Sequence, residues 1–336
     1  MLSICIPSYN RANYLLKALN SIYSQNNHSM NFEVCISNNC SSDDYSKVED
    51  YIDEINQYNI RYIIQESPLS IDDNMHYVTK MARGDYIYFL GDDDYFYSDA
   101  FNKLEELLLK NDVDLATFNA TIIDASDNIV GSHFNIAPHK YDCFDDAFLE
   151  LCDKTYFGAV LVKRKYLSDN YFNLLAGSSH AYCCFWLNML NRECWNFNII
   201  IPDFPCVYMR RAEKFYNLAS VHYNDIFIYF KVFHNSLKIP MARKLNEIYL
   251  ASYIKKTYSI RFMVLVFRSS AKFNGIYISK HNELIYVNPS LFFIKKLIAR
   301  VLSVDVVYYI SKFIYKKSDQ NNFIFFILLD SYATFF

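Results

Sequence analysis

Residues 86–94 read YIYFLGDDD, an apolar, β-rich run that ends in three consecutive aspartates. Adjacent carboxylates repel one another and are unfavourable against a buried strand unless a cation neutralises them. Mg²⁺ and Mn²⁺ prefer oxygen ligands and are often shared with substrate phosphates. Because ligands of open α/β sheets bind outside the carboxyl ends of the strands, position and chemistry both indicate a metal-assisted phosphate site. A solvated acidic turn is the alternative interpretation of the same residues.

The N-terminal segment predicts a strand, a polar loop and a helix. Residues 2–7 (LSICIP) are apolar and end at Pro7, which cannot donate to a strand ladder and is expected to end the strand. Residues 8–11 form the polar loop, and apolar residues then recur at helical spacing over 14–22. The loop contains no glycine, which excludes a Walker A loop and a GxGxxG dinucleotide fingerprint.

Predicted strands and helices alternate through residues 1–118, which favours a parallel or mixed sheet with helices on both faces. The strands are predicted at 32–37, 60–65 and 86–90, and the helices at 45–55 and 74–82, with Gly84 as a terminator. The later part of the chain predicts helices at 104–109, 141–152 and 181–190, and strands at 114–123, 157–162, 198–202 and 206–209.

Three motifs in this order resemble glycosyltransferase family 2, whose members are nucleotide-sugar-dependent enzymes of the GT-A fold. The motifs are IPSYNR (6–11), SNNCSSDD (37–44) and DNMHYVTKMARGDYIYFLGDDD (73–94). The resemblance covers residues 1–125 well and the remainder loosely. The FLGDDD variant is similar to bacterial abequosyltransferase-like enzymes of surface-polysaccharide synthesis. The fold implied is α/β, a GT-A nucleotide-sugar-binding sheet with helices on both faces.

The resemblance also implies a donor site. Asp93 and Asp94 are the implied ligands of Mg²⁺ or Mn²⁺. Arginine matches phosphate oxygens bidentately, which suits Arg210 and Arg211 after a predicted strand. The complete set implied to bind the nucleotide is Pro7, Tyr9, Asn10, Arg11, Asn38, Asn74, Asp92, Arg210 and Arg211.

Two positions depart from the family pattern. Asn38 stands where the family has an acidic residue that contacts the nucleobase, and Gly91 stands where it has the first aspartate of a D-x-D motif. An amide both donates and accepts hydrogen bonds, so base binding is retained as an expectation while the identity of the base stays open.

An inverting transferase needs a general base that deprotonates the acceptor hydroxyl. In the resembled family an acidic residue at the start of the helix after the 157–162 strand usually has this role, and residues 177–180 here read GSSH. His180 is therefore the candidate base, because an imidazole titrates near neutral pH. The alternatives are a purely structural role for His180 at a helix N-terminus, or a base at Asp153 or Glu193.

Charge divides the chain into an acidic front and a basic rear. Residues 1–155 contain 10 Lys and Arg against 26 Asp and Glu, whereas residues 156–336 contain 23 against 10. The acidic front argues against nucleic acid as a partner. The basic, aromatic rear favours a membrane surface, with 291–302 and 304–317 as interfacial helices. A helical subdomain packed on the catalytic domain or on a second subunit is the alternative.

These features predict a GT-A domain at 1–215, with a nucleotide half (1–125) and an acceptor half (126–215), and a helical, basic, aromatic-rich region at 216–336. The sequence contains no run of 18 uninterrupted apolar residues, so no transmembrane helix is predicted. Nine scattered cysteines without a CxxC pair favour a reduced, cytosolic protein. The predicted function is transfer of a sugar from a nucleotide-diphosphate donor to a lipid-linked oligosaccharide on the cytoplasmic face of the membrane, by a possible homo-oligomer. The alternatives are a non-catalytic scaffold of polysaccharide assembly and a sugar-phosphate nucleotidyltransferase.

Overall fold

The computed structural model describes residues 1–25, 29–55, 59–211 and 226–257. The chain separates into two compact units, one of Met1–Glu213 with Ser236–Ala242, the other of Lys214–Asn235 with Arg243–Phe336. The predicted interfacial helices at 291–302 and 304–317 lie outside the described residues. The helices that are described include none with the length and apolar character needed to span a bilayer. The predicted domain bounds at 125 and 215 stay a prediction.

The described elements alternate as expected over the first part of the chain. The helices are α1 (Ala12–Tyr23), α2 (Ser46–Ile55), α3 (Ile71–Met81), α4 (Ala100–Lys110), α5 (Phe144–Leu151), α6 (Asp169–Leu175), α7 (Cys184–Leu190), α8 (Ile226–Ser236) and α9 (Pro240–Thr257). The strands are β1 (Leu2–Ser8), β2 (Phe32–Asn38), β3 (Ile60–Ile64), β4 (Tyr86–Phe89), β5 (Tyr95–Phe96), β6 (Leu115–Thr117), β7 (Ala120–Ile123), β8 (Ile129–His133), β9 (His139–Lys140), β10 (Val160–Lys163), β11 (Ile199–Ile201) and β12 (Val207–Arg210).

The strand order of the main sheet creates a switch point beside β1. In the described part of the chain this sheet has the order β3-β2-β1-β4-β10-β6-β11-β9, and its first four strands run parallel. The chain moves from β1 outward through β2 and β3, then returns to place β4 on the other side of β1. Such a reversal opens a crevice at the carboxyl ends of the two strands, which here are the ends of β1 and β4.

Helices cover both faces of the parallel strands because side chains of β1 alternate between two apolar faces. On one face, Ile4 and Ile6 belong to the core that includes Leu15 and Leu19 of α1. On the other face, the Cys5 thiol lies 3.7 Å from the Val78 carbonyl oxygen of α3. The predicted mixed α/β fold with helices on both faces is confirmed. In the second unit, the Phe230 ring of α8 lies 5.3 Å from the Tyr249 ring of α9.

The prediction that Pro7 ends the first strand is wrong. β1 continues to Ser8, and Pro7 pairs in register with Ser37 of β2. The pairing of β1 with β4 stops at Cys5, opposite Phe89. Pro7 lies beyond the last pair of β1 with β4, so its missing N–H removes no hydrogen bond between these two strands. The strand therefore extends into the crevice.

The single strand predicted over residues 114–123 is also wrong. β6 belongs to the main sheet, whereas β7 belongs to a second sheet with the order β5-β12-β7-β8. Asn119 turns the chain between them, with side-chain hydrogen bonds of 2.8 and 2.9 Å to the carbonyl and N–H of Ile136. Both halves are buried, so a continuous apolar run does not mark the break.

Helix α3 begins three residues before the predicted start at Asn74. Ser70 is its N-cap, and the Ser70 hydroxyl accepts a 3.1 Å hydrogen bond from the Asp73 N–H. A Ser N-cap satisfies an otherwise unpaired donor of the first turn. The helix therefore includes Asp72 and Asp73, which the pattern of apolar residues left outside it.

The buried carboxylate of Glu33 joins four segments near the amino ends of the parallel strands, away from the crevice. It accepts hydrogen bonds from the Ser3 hydroxyl at 2.5 Å and the Gly84 N–H at 3.2 Å, and it pairs with Arg61 at 2.5 Å. Burial by itself raises the pKa of Glu33, but these hydrogen bonds and Arg61 hold the pKa below its ordinary value. A Cβ on Gly84 would lie 2.6 Å from the Ser3 hydroxyl oxygen, so only glycine permits the segment before β4 to approach β1 this closely.

We expect Glu33→Gln to lower the free energy of unfolding by about 3 kcal/mol at neutral pH, because Arg61 loses its charged partner in a buried setting. The folded pKa lies below the unfolded value, so this stabilisation is present above the unfolded pKa and is lost as pH falls through the folded pKa. Urea denaturation across that range measures both effects. Exposed Glu106, which pairs with Lys110 on the same helix, provides the control Glu106→Gln. A wild-type–variant difference that does not shrink on acidification contradicts the assignment.

Candidate functional site

The loop after β1 and the turn after β4 meet in the crevice. The Tyr9 N–H donates a 3.1 Å hydrogen bond to Oδ2 of Asp92. One nitrogen of the Arg11 guanidinium, Nη1, lies 3.1 Å from Oδ1 of Asp92 and 2.8 Å from Oδ2 of Asp93. Two segments that are about eighty residues apart in sequence, IPSYNR and FLGDDD, thus form a single site.

The carboxylates of this turn are held in a setting that favours a cation. The Asp92 side chain is 8% exposed and the Asp93 side chain is 16% exposed. Burial raises the pKa of Asp92 to about 6, even though Arg11 opposes the shift. Burial also raises the pKa of Asp93, again against the effect of Arg11. One guanidinium therefore compensates the charge of two neighbouring acids only in part.

Asp94 points into the protein and joins the turn to two other elements. Its Oδ1 accepts a 2.9 Å hydrogen bond from the Arg210 N–H at the end of β12. A Cβ on Gly158, whose φ is +123°, would overlap Oδ2 of Asp94, so the loop before β10 needs glycine there. Burial, followed by the charge of Asp93, raises the pKa of Asp94 well above its ordinary value. The predicted role of Asp94 as a metal ligand stays a prediction.

The donor set at Asp93 fits a divalent cation that is shared with a substrate. No three His, Cys, Asp or Glu side chains converge on a common metal position within the described residues. Mg²⁺ typically takes one or two protein carboxylates and completes its shell with water and substrate phosphates. Asp93 is more exposed than Asp92 and is the carboxylate best placed for such a cation, with Asp92 behind it.

The loop after β2 is fastened to the loop after β1. Asn10, at a left-handed φ of 53°, accepts a 2.7 Å hydrogen bond from the Ser42 N–H. Asn38 is buried at the end of β2, where it accepts from the Ser41 N–H at 3.1 Å and donates to the Tyr62 hydroxyl at 2.8 Å. Both asparagines order the rim of the crevice, and their predicted contacts with a nucleotide stay predictions.

Other residues predicted to bind the nucleotide occupy different positions around the crevice. Tyr9 is 52% exposed at its rim, directly after β1. Asn74 is buried, and its side chain accepts from the Ser37 hydroxyl at 2.6 Å and donates to the Ser37 carbonyl at 3.3 Å. Asn74 thereby anchors α3 to β2, a packing role that its position in the sequence motif does not reveal.

Arg210 is enclosed within the protein, with a side chain that is 1% exposed. Its guanidinium donates to the carbonyl oxygens of Asp93 at 3.2 Å and Asp124 at 2.9 Å, and pairs with Asp127 at 2.5 Å. These contacts fix the acidic turn against the 124–127 loop. Exposed Arg211 follows, and its N–H donates to the Ile123 carbonyl at 2.8 Å.

The segment that contains His180 is held by a residue that the sequence interpretation missed. Asp72, in the first turn of α3 and only 2% exposed, accepts hydrogen bonds from the N–H groups of Gly177 at 2.8 Å, Ser179 at 2.9 Å and Ala181 at 3.1 Å. Its signal in sequence is only an acidic residue near a helix start, because its partners lie more than a hundred positions away.

A contact with the backbone fixes the tautomer of His180. Its Nδ1 lies 2.8 Å from the Ser178 carbonyl oxygen, which only accepts, so Nδ1 carries the hydrogen. The neutral ring then has its lone pair on Nε2. The alternative bases lie elsewhere: Asp153 in the turn after α5 and exposed Glu193 in the turn after α7.

Residues 3–185 match the family model described as Glycosyl transferase family 2, and the chain belongs to this family. Over 111 residues it is 34% identical to the abequosyltransferase RfbV of Salmonella typhimurium, a match that covers 32% of each chain. Over 107 residues it is 36% identical to an uncharacterized glycosyltransferase of Mycoplasma genitalium, covering 31% of this chain and 35% of the relative. These matches therefore span about a third of each relative.

The fold is also similar to that of solved structures. The crystal structure of S. aureus TarS 1–349 in complex with UDP-GlcNAc aligns with a TM-score of 0.59 at 15% identity, covering 89% of this chain and 88% of that chain. The complex of the same protein with UDP aligns with a TM-score of 0.58. The predicted GT-A fold is confirmed by this likeness.

We expect Asp72→Asn to destabilise the protein by about 2 kcal/mol, because an amide supplies one acceptor oxygen and places a donor against backbone N–H groups. Asp73→Asn, one position further on the exposed side of α3, is the matched control and should have a smaller effect. Urea denaturation with both variants measures the difference. Equal effects of the two substitutions would show that Asp72 does not hold the 177–181 segment.

Proposed function

We propose that this protein is a glycosyltransferase that moves a sugar from a nucleoside diphosphate donor to a hydroxyl group of its acceptor. The observation that carries the proposal is the joint Tyr9–Arg11–Asp92–Asp93 arrangement at the switch point of the sheet. Family membership supports the reaction class. The solved complexes of TarS with UDP-GlcNAc and with UDP make a uridine nucleotide the first donor type to test.

On the donor side, the exposed Tyr9 and the loops at Asn10 and Asn38 frame the nucleotide. Asp93 holds Mg²⁺ or Mn²⁺, while Asp92 orients the Tyr9–Arg11 loop through the Tyr9 N–H. When bound, the cation neutralises the charge that develops on the leaving diphosphate. Arg210 acts at one remove, since its guanidinium fixes the backbone of the acidic turn. Arg211, which follows β12, is exposed whereas Arg210 is buried, and we propose that Arg211 approaches the phosphates.

On the acceptor side, His180 receives the proton of the attacking hydroxyl at Nε2 while the oxygen attacks the anomeric carbon. A direct displacement of this kind inverts the anomeric centre. We place the acceptor among lipid-linked oligosaccharides of bacterial surface polysaccharides, such as lipopolysaccharide or capsule, and the transferred unit among hexoses or deoxyhexoses. The relative named abequosyltransferase and the basic, aromatic 216–336 region support this placement. The same region is proposed to bind the cytoplasmic membrane surface peripherally or to join two copies of the chain.

We expect UDP to bind in the presence of Mn²⁺ and to bind at least about tenfold more weakly in EDTA, because the cation that Asp93 would hold would neutralise charge on the diphosphate. Calorimetric titration of UDP, CDP, GDP and dTDP measures the preference for the base. Asp93→Asn should remove the metal dependence, while Asp169→Asn, a surface carboxylate paired with His76, should preserve it. Absence of binding by all four nucleotides to folded protein would favour the non-catalytic scaffold.

We expect His180→Ala to lower kcat by about 100-fold or more and to change the affinity for the nucleotide little, because the general base acts on the acceptor. The rate is measured with a sugar donor that carries the nucleoside diphosphate found to bind in the calorimetric titration. Asp153→Asn, which removes the alternative carboxylate, should keep the wild-type rate. Retained turnover by His180→Ala with loss in Asp153→Asn would move the base to Asp153.

A further inference from the structure

We propose that Arg11 is the counter-ion of Asp92 and Asp93 in the donor-free protein and that it couples cation binding to donor binding. When a divalent cation binds at Asp93, the Arg11 guanidinium leaves that carboxylate and pairs with the diphosphate of the donor. The inference rests on the proposed function and assigns Arg11 a role beyond direct contact with the nucleotide. It makes Arg11 a positioning residue for the acidic turn in the donor-free protein.

The geometry shows that Arg11 contacts two carboxylates of the turn at once. Its Nη1 lies 2.8 Å from Oδ2 of Asp93 and 3.1 Å from Oδ1 of Asp92, so a single nitrogen bridges the two carboxylates. Arg210, the other guanidinium beside the turn, donates to the carbonyl oxygen of Asp93 from the protein interior. A cation that binds Asp93 must therefore compete with Arg11.

The backbone around Arg11 is fixed, so the exchange requires only a rotation of the side chain. The Tyr9 N–H donates to Asp92, the Asn10 N–H donates to the Ser41 hydroxyl at 3.0 Å, and the Arg11 N–H donates to the Tyr45 hydroxyl at 3.3 Å. Arg11 directly precedes α1 and its side chain is 23% exposed. The guanidinium is thus at the crevice surface, where a diphosphate accepts charge-assisted hydrogen bonds.

The energetics make the exchange conditional on the donor. A guanidinium that leaves two partly buried carboxylates loses two charge-assisted contacts, and a cation alone supplies no new partner for it. A donor with a diphosphate supplies that partner. Cation and donor should then strengthen each other's binding, by a factor that is the same in both directions.

Arg11→Gln separates this coupling from ordinary chelation of the cation by phosphate. Without UDP, the variant should bind Mn²⁺ about tenfold more tightly than the wild type at about pH 8, because the guanidinium that competes for Asp92 and Asp93 is gone. The increase in Mn²⁺ affinity caused by UDP should be smaller in the variant than in the wild type. Titration of free Mn²⁺ by electron paramagnetic resonance, with and without UDP, measures all four affinities.

Two further variants control the experiment. Lys17→Gln removes one positive charge from α1, the helix that Arg11 precedes, but Lys17 pairs with Asp127, so Mn²⁺ affinity should stay at the wild-type value. Arg11→Met is a second neutral variant that should behave as Arg11→Gln does, and it decides the matter if the first fails to fold.

Equal or weaker Mn²⁺ binding by both folded Arg11 variants in the absence of UDP overturns the proposal. So does an unchanged effect of UDP on Mn²⁺ affinity in these variants. Failure of the proposed function gives a different result, because the wild type would then bind no nucleoside diphosphate at all. The comparison of Mn²⁺ affinities without UDP still tests Arg11 in that case.

Discussion

The burial of three adjacent carboxylates at the end of β4 is the constraint on which the site depends. Two distant parts of the chain provide partners for Asp92, Asp93 and Asp94. Asp92 and Asp93 share Arg11 from the loop after β1, and Asp94 accepts the Arg210 N–H from β12. Charges of one sign at this density are tolerated only with such partners, so the turn draws distant segments together.

The same constraint explains why glycine occurs beside the turn. A Cβ at Gly91 would lie 2.9 Å from Oδ2 of Asp94, and one at Gly158 would overlap the same oxygen. The Asp94 carboxyl group thus occupies space that two side chains would otherwise need. Gly91 departs from the aspartate expected at its position, and in this chain it makes room for Asp94 instead.

The sequence predicted much of the fold because its evidence is local. Alternating strands and helices, the apolar run before the aspartates and the three ordered motifs are each contained in short segments. Family membership and the GT-A fold follow from them and are confirmed. The link between residues 6–11 and 92–94 was also predictable, since carboxyl ends of neighbouring parallel strands meet at one edge of the sheet.

The failures arose where a long-range contact decides the outcome. Pro7 stays within β1 because β4 stops pairing at Cys5, which periodicity does not encode. Asn119 divides an apolar run between two sheets through its contacts with Ile136. Asp72 organises the 177–181 segment across more than a hundred residues, and Arg210 is enclosed by loops that fold around it. Residue type and spacing identify which side chains could bind a ligand or transfer a proton. They do not reveal which of these side chains instead make hydrogen bonds and ion pairs within the folded protein.

The central claim is that the carboxyl ends of β1 and β4 form a donor site in which Asp93 holds the cation. A crystal structure of the protein with UDP and Mn²⁺, with anomalous difference maps at the manganese edge, tests this most directly. The account predicts an anomalous peak within coordination distance of the Asp93 carboxylate and of the diphosphate in the crevice. A nucleotide bound elsewhere, or a manganese peak remote from Asp93, would contradict it.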